Sequence, residues 1–155
     1  MQSLNSLTEL TTALHTCTAY IGYSARPDEL DYQHISLLPQ HIFQEGLLIP
    51  CDKHVDPFGC ANECIQRFQD TLPCLFIPGT AFDRFGARYG RGGGWFDRFL
   101  SYIPKEWVRI GIIQKEKFSD EPLEQELWDE PMDWVLIFDS NTSSWEVVEV
   151  SPQRV

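Results

Sequence analysis

From Pro78 to Arg98 the chain reads Pro-Gly-Thr-Ala-Phe-Asp-Arg-Phe-Gly-Ala-Arg-Tyr-Gly-Arg-Gly-Gly-Gly-Trp-Phe-Asp-Arg, and no other stretch limits the fold as much. Four of the ten glycines lie between Gly90 and Gly94, and arginines stand at 84, 88, 91 and 98. An apolar segment, Leu75-Phe76-Ile77, closes on Pro78-Gly79 before the run, and Trp95 onward has helical composition after it. A strand, a glycine turn bearing guanidiniums and then a helix form a layout that binds oxyanions. Glycine lets backbone N–H groups approach a phosphate without side-chain obstruction. The first turn of the helix adds unpaired donors and the positive end of a dipole. The spacing is neither a Walker A loop, which ends Gly-Lys-Ser/Thr, nor a dinucleotide fingerprint. Asp97 falls where the helix begins, so it can hold Mg²⁺ against the same phosphates or simply stabilise the first turn.

With 155 residues, 43% hydrophobic, the chain suffices for one well-buried α/β domain and is short for two. The net charge of −11 argues against nucleic acid and acidic membranes as partners. Against that background, Arg84, Arg88, Arg91 and Arg98 form a local positive patch suited to a small anionic ligand. No stretch reaches membrane-spanning length and no signal-peptide pattern opens the chain, so cytoplasmic residence is expected. The five cysteines are odd in number and do not suggest a secreted disulfide framework.

Hydrophobic periodicity predicts a helix over Ser3–Leu14, a strand over Thr16–Tyr23, a helix over Glu29–Leu37 and a short strand over Leu47–Ile49. A loop over Cys51–Pro57, a helix over Asn62–Phe68 and a buried strand over Leu75–Ile77 follow. Then come a helix over Trp95–Tyr102, a strand over Trp107–Ile113 and a polar loop over Lys115–Pro131. Trp134–Phe138 reads as a strand, Asp139–Ser143 as a turn, and Trp145–Val150 as a last strand at an edge. Strands alternating with helices indicate a three-layer α/β sandwich, with a mostly parallel, Rossmann-like sheet and helices on both faces. Ligands in such sheets sit beyond the carboxyl ends of the strands, where the loops after Tyr23, Pro78 and Gln114 should converge.

The stretch Ile77–Asp83 followed by Gly86–Arg98 closely resembles the signature of the 5-formyltetrahydrofolate cyclo-ligase (methenyltetrahydrofolate synthetase) family. Flanking segments agree in order: Tyr23–Asp31 with matching Glu29 and Asp31, Val108–Gly111 with Gln114, and Trp128-Asp129-Glu130-Pro131-Met132-Asp133. The resemblance implies a Rossmann-like sandwich and use of ATP and Mg²⁺ to phosphorylate the formyl oxygen of 5-formyltetrahydrofolate. Ring closure by N10 and loss of phosphate then yield 5,10-methenyltetrahydrofolate. On this reading Arg88 and Arg91 are catalytic, and Gly90, Gly92, Gly93, Gly94, Trp95 and Asp97 join them around ATP. Asp97 holds the metal, while Glu29, Trp95 and Phe96 meet the folate. A monomer or weak homodimer is expected.

Some features depart from the family pattern. No base precedes Arg26, so the family's N-terminal helix with phosphate-reaching Lys and Arg is expected to be missing from a single domain spanning 1–155. Trp95 and Phe96 stand where two tyrosines are usual, and Trp128 where histidine is usual. These departures keep open a catalytically impaired relative that binds folate or nucleotide, or regulates a partner. Glu29 also reads as a helix-start acid, and Asp129 and Asp133 as loop caps. Cys51, His54, Cys60 and Cys64 offer zinc-type ligands without a Cys-x-x-Cys knuckle, against the reading of cysteine as a small buried apolar residue.

Overall fold

Leu75, Phe76 and Ile77 lie in a central strand of a six-stranded sheet, and their burial sets the layers on either side. The computed structural model describes residues 4–23, 30, 32, 35–49, 55–90 and 94–150. In chain order these form α1 (Leu4–Ala13), β1 (Ala19–Tyr23), a 3-10 turn (Gln40–Phe43), β2 (Gly46–Ile49), α2 (Pro57–Arg67) and β3 (Pro73–Pro78). A short hairpin of β4 (Ala81–Asp83) and β5 (Arg88–Tyr89) precedes α3 (Trp95–Tyr102) and β6 (Arg109–Gln114). A second 3-10 turn (Lys115–Lys117), β7 (Phe118–Ser119), β8 (Trp134–Asp139) and β9 (Ser144–Glu149) complete the order.

The main sheet runs β2-β1-β3-β6-β8-β9, parallel throughout except for the β8–β9 pair, which places β9 at an edge. A strand covered on both faces needs a continuous apolar run, and β3 is buried at every position. Its Leu75 and Ile77 join a core with Cys60 and Cys64 of α2 and Phe99 and Leu100 of α3. Cys74 and Phe76 join a second core with Leu10 and Leu14. Helices therefore cover both faces, as the sequence pattern implies. Among the described residues no helix is long and apolar enough to cross a membrane.

Local chemistry explains the helix ends. The Asp56 carboxylate accepts the Phe58 and Gly59 amides at 3.2 Å each, and Pro57 occupies the first helical position of α2. Gly94 precedes α3 at φ +66°, a left-handed conformation that glycine adopts readily, and α3 stops ahead of Pro104.

Two expectations are corrected. Residues 30, 32 and 35–37, the described part of the Glu29–Leu37 span, carry no helix. Tyr32 instead stacks on Phe76 (4.6 Å, 20°) and donates its hydroxyl proton to the Tyr23 carbonyl at 2.8 Å. It passes over Gly22, where a Cβ would stand 1.9 Å from its Oη. This burial outweighs a helix propensity worth only tenths of a kcal/mol per residue. The second correction is a three-stranded sheet, β5-β4-β7, where a glycine loop and a plain polar loop were expected. The Phe82 ring of β4 fills the space over Gly111 of β6, where a Cβ would lie 2.5 Å from it.

Candidate functional site

The hairpin after β3 brings Arg88 back to the carboxyl end of that strand. The Thr80 amide donates to the Tyr89 carbonyl at 2.7 Å, closing the ladder. Asp83, 1% exposed, fixes the turn: its Oδ1 accepts the Phe85 and Ala87 amides at 2.9 Å each. Arg88 Nε donates to the Pro78 carbonyl at 2.5 Å, and its guanidinium lies over the Phe96 ring at 4.7 Å. A Cβ on Gly90 would stand 2.9 Å from Arg88 Nη1, so glycine at 90 gives the guanidinium its room.

The opposite wall is the first turn of α3. The Trp95 indole donates to the Val55 carbonyl at 2.8 Å and stacks on Phe99 at 5.4 Å. Asp97 Oδ1 accepts the Glu130 amide at 3.1 Å, and the Asp129 carboxylate is close enough to act on it electrostatically. Burial above all pushes Asp97 above the usual carboxylate range, and Asp129 adds to the shift; the Glu130 amide and the Arg88 charge oppose it. Two carboxylates, one raising the other's cost of ionisation, with the Arg88 charge acting on that same acid, form a cluster that a hard cation would stabilise.

Residues 123–130 strap the two walls together. The Leu123 amide donates to Asp83 Oδ2 at 2.7 Å and the Glu124 amide to Tyr89 Oη at 2.9 Å, while Glu130 reaches Asp97. The end of the strap is anchored by charge. Glu130 Oε1 accepts from Lys105 Nζ at 2.6 Å and from Arg109 Nη1 at 2.9 Å. Burial alone would raise Glu130, but these two cations outweigh it and hold its carboxyl below the ordinary value. Arg109, 3% exposed, also donates to the Leu100 and Ile103 carbonyls and so satisfies the C-terminal end of α3.

Of the residues singled out in the sequence, Arg88, Gly90, Gly94, Trp95, Phe96 and Asp97 meet at this hairpin–helix junction. Glu29, Arg91, Gly92 and Gly93 lie outside the described residues, as do Asp31, Cys51 and His54. Trp95 and Phe96 each present a ring face to a protein partner, Phe99 and Arg88 respectively. Asp129, read from sequence as a loop cap, does cap its turn, its Oδ2 accepting the Glu126 amide at 2.8 Å, and its charge also acts on Asp97. Cys60 and Cys64 are buried, free and one helical turn apart. Among the described residues no group of three or more His, Cys, Asp or Glu is placed to hold a metal ion. A separate groove of about 460 Å³ lies under the hairpin turn, lined by Phe85, Met132, Trp134 and Val150. Its one aspartate, Asp133, already accepts the Arg109 amide at 2.9 Å.

The model of the 5-formyltetrahydrofolate cyclo-ligase family matches residues 61–138, half of the chain, including the hairpin, α3 and the strap. The chain belongs to this family. The cyclo-ligase of Mycoplasma genitalium is 35% identical over 68 residues, 42% of this chain and 38% of its own length. That of Haemophilus influenzae is 37% identical over 68 residues, 43% of this chain and 35% of its own. The matched stretches thus span less than half of these relatives. The fold extends further: a 5,10-methenyltetrahydrofolate synthetase structure from Mycoplasma pneumoniae superposes with a TM-score of 0.52 at 16% identity, covering 86% of this chain and 87% of that one. The synthetase of Aquifex aeolicus superposes with a TM-score of 0.51 at 17% identity, covering 97% and 84%. The cyclo-ligase fold, a mostly parallel sheet between helices, is the one seen here.

Proposed function

We propose that this chain converts 5-formyltetrahydrofolate to 5,10-methenyltetrahydrofolate with ATP and Mg²⁺. The observation that carries the reading is the junction of hairpin and α3, with Arg88 over the Phe96 ring and Asp97 on the Glu130 amide, inside the stretch that the family model matches. In the proposed reaction the formyl oxygen attacks the γ-phosphorus of ATP and ADP departs. N10 then attacks the activated formyl carbon, its proton is released, and inorganic phosphate leaves with the former formyl oxygen.

The chain supplies position and charge. Arg88 and Arg91 steady the negative charge on the transferred phosphoryl group, and the amides of Gly90 and Gly92–Gly94 cradle the phosphates. Asp97 and Asp129 offer hard oxygen donors, the ligand type that suits Mg²⁺, and their mutual repulsion is what a bound cation relieves. When bound, that cation offsets phosphate charge. Glu29 accepts paired hydrogen bonds from the aminopyrimidine edge of the pterin, and Trp95 and Phe96 line the folate side. No side chain acts as a covalent nucleophile. The test is formation of the methenyl chromophore by purified protein: absorbance rising only with ATP and Mg²⁺ together supports the reading, and none under any combination removes it.

A further inference from the structure

Leu127 is fully exposed and Trp128 is 66% exposed, two large apolar side chains side by side in solvent next to the site. They form the tip of a turn closed twice by one residue. The Asp129 amide donates to the Glu126 carbonyl at 3.1 Å, and Asp129 Oδ2 accepts the Glu126 amide at 2.8 Å. The stem is fixed on both sides, to Asp83 and Tyr89 of the hairpin and to Asp97 of α3. Glu130, next to the Asp129 that shuts the turn, donates its amide to Asp97, so the tip is tethered to the site within two residues.

Nothing in the turn requires apolar residues at its tip, since polar residues close such turns equally well. Trp107 and Trp134 are buried, and Trp95 and Trp145 are half-buried, so Trp128 is the exposed indole among the described residues. The rest of the strap is acidic, with Glu124, Glu126, Asp129 and Glu130, and so repels phosphate. What it can offer a ligand is a flat apolar face. We infer that Trp128, flanked by Leu127, is a binding residue that stacks on the planar nitrogen heterocycle of the ligand held at Arg88 and Asp97. This deepens the proposed function and rests on it. The heterocycle is the purine of the nucleotide or the pterin of the folate, which share this stacking chemistry.

The experiment is calorimetric titration of the full chain and of Trp128→Ala and Trp128→Phe with three ligands: Mg·ATP, 5-formyltetrahydrofolate and ringless Mg·tripolyphosphate. Loss of stacking weakens binding of one ring-bearing ligand to Trp128→Ala by about 5- to 100-fold, with most of the affinity kept by Trp128→Phe and tripolyphosphate unaffected. The ligand that responds identifies the ring. That same ligand shields wild-type indole fluorescence from acrylamide, and the shielding vanishes in Trp128→Phe. If Trp128→Ala binds all three ligands as the wild type does, or loses all three equally, this inference is overturned while the proposed function stands. If the wild type binds neither ATP nor the folate, the proposed function fails and this inference falls with it.

Discussion

Replacing Asp83 removes the link that ties the hairpin to the strap. Its carboxylate accepts three backbone N–H groups: Ala87, whose bond is buried, and Phe85 and Leu123, whose bonds are partly exposed. Hydrogen bonds to a charged acceptor contribute about 1.5–3 kcal/mol each, and a donor orphaned in the interior costs about 1–3 kcal/mol. In Asp83→Ala the Ala87 amide bears the full penalty, whereas water reaches the other two, so the expected loss is about 4 kcal/mol. In Asp83→Asn one oxygen keeps its two amides at neutral strength while the NH₂ group faces the Leu123 N–H, for an expected loss of about 2 kcal/mol. Set against a typical domain stability of about 5–15 kcal/mol, both are large. Urea unfolding followed by tryptophan fluorescence measures them. Amide exchange in Asp83→Asn should accelerate at Leu123 more than at Ala87. A loss below about 1 kcal/mol for Asp83→Ala, or the reverse order of exchange, would refute the reasoning.

Gly111→Ala drives a methyl group into the Phe82 ring and should cost about 1–3 kcal/mol; the double variant with Phe82→Leu should recover part of it, measured as a non-additive change in chemical denaturation. Glu130, held below its ordinary value of 4.5, contributes stability that is present above that value and disappears as pH falls through its lower folded pKa. Glu130→Gln should therefore be less stable than wild type at neutral pH and show a flatter loss in acid, read from melting temperature against pH. Asp97 has the opposite sign: its raised pKa keeps the carboxyl protonated to higher pH than an ordinary aspartate, and in that range Mg²⁺ must displace the proton. Mg²⁺ affinity should rise with pH from the ordinary value of 3.8 through the folded one, and Asp97→Asn should abolish that slope in a calorimetric series.

What could be read in the chain was whatever a local pattern encodes. The run Leu75–Ile77 announces a buried strand, and α3 spans Trp95–Tyr102 as expected because Gly94 and Pro104 mark its ends. The family signature pointed to the junction where Arg88 and Asp97 now stand. What could not be read depends on contacts distant in sequence. Tyr32 leaves the helical pattern because Phe76 and the Tyr23 carbonyl engage it. β4, β5 and β7 hold two or three residues each, too few for alternation to show. Asp83 is buried by a partner forty residues ahead, Leu123. Asp129 looks like a cap and is one; only the fold reveals that the same carboxylate also acts on Asp97.

The central claim is that the hairpin and α3 together grip the phosphates of a nucleotide through Arg88, with a cation at Asp97 and Asp129. Titration of Mg·ATP into wild type, Arg88→Ala and Asp97→Asn examines this directly. Mg²⁺-dependent binding is expected of wild type, weakened by about tenfold or more in Arg88→Ala through loss of a charge-assisted contact, with binding indifferent to Mg²⁺ in Asp97→Asn. Equal affinity across all three proteins, with the same dependence on Mg²⁺, would contradict it.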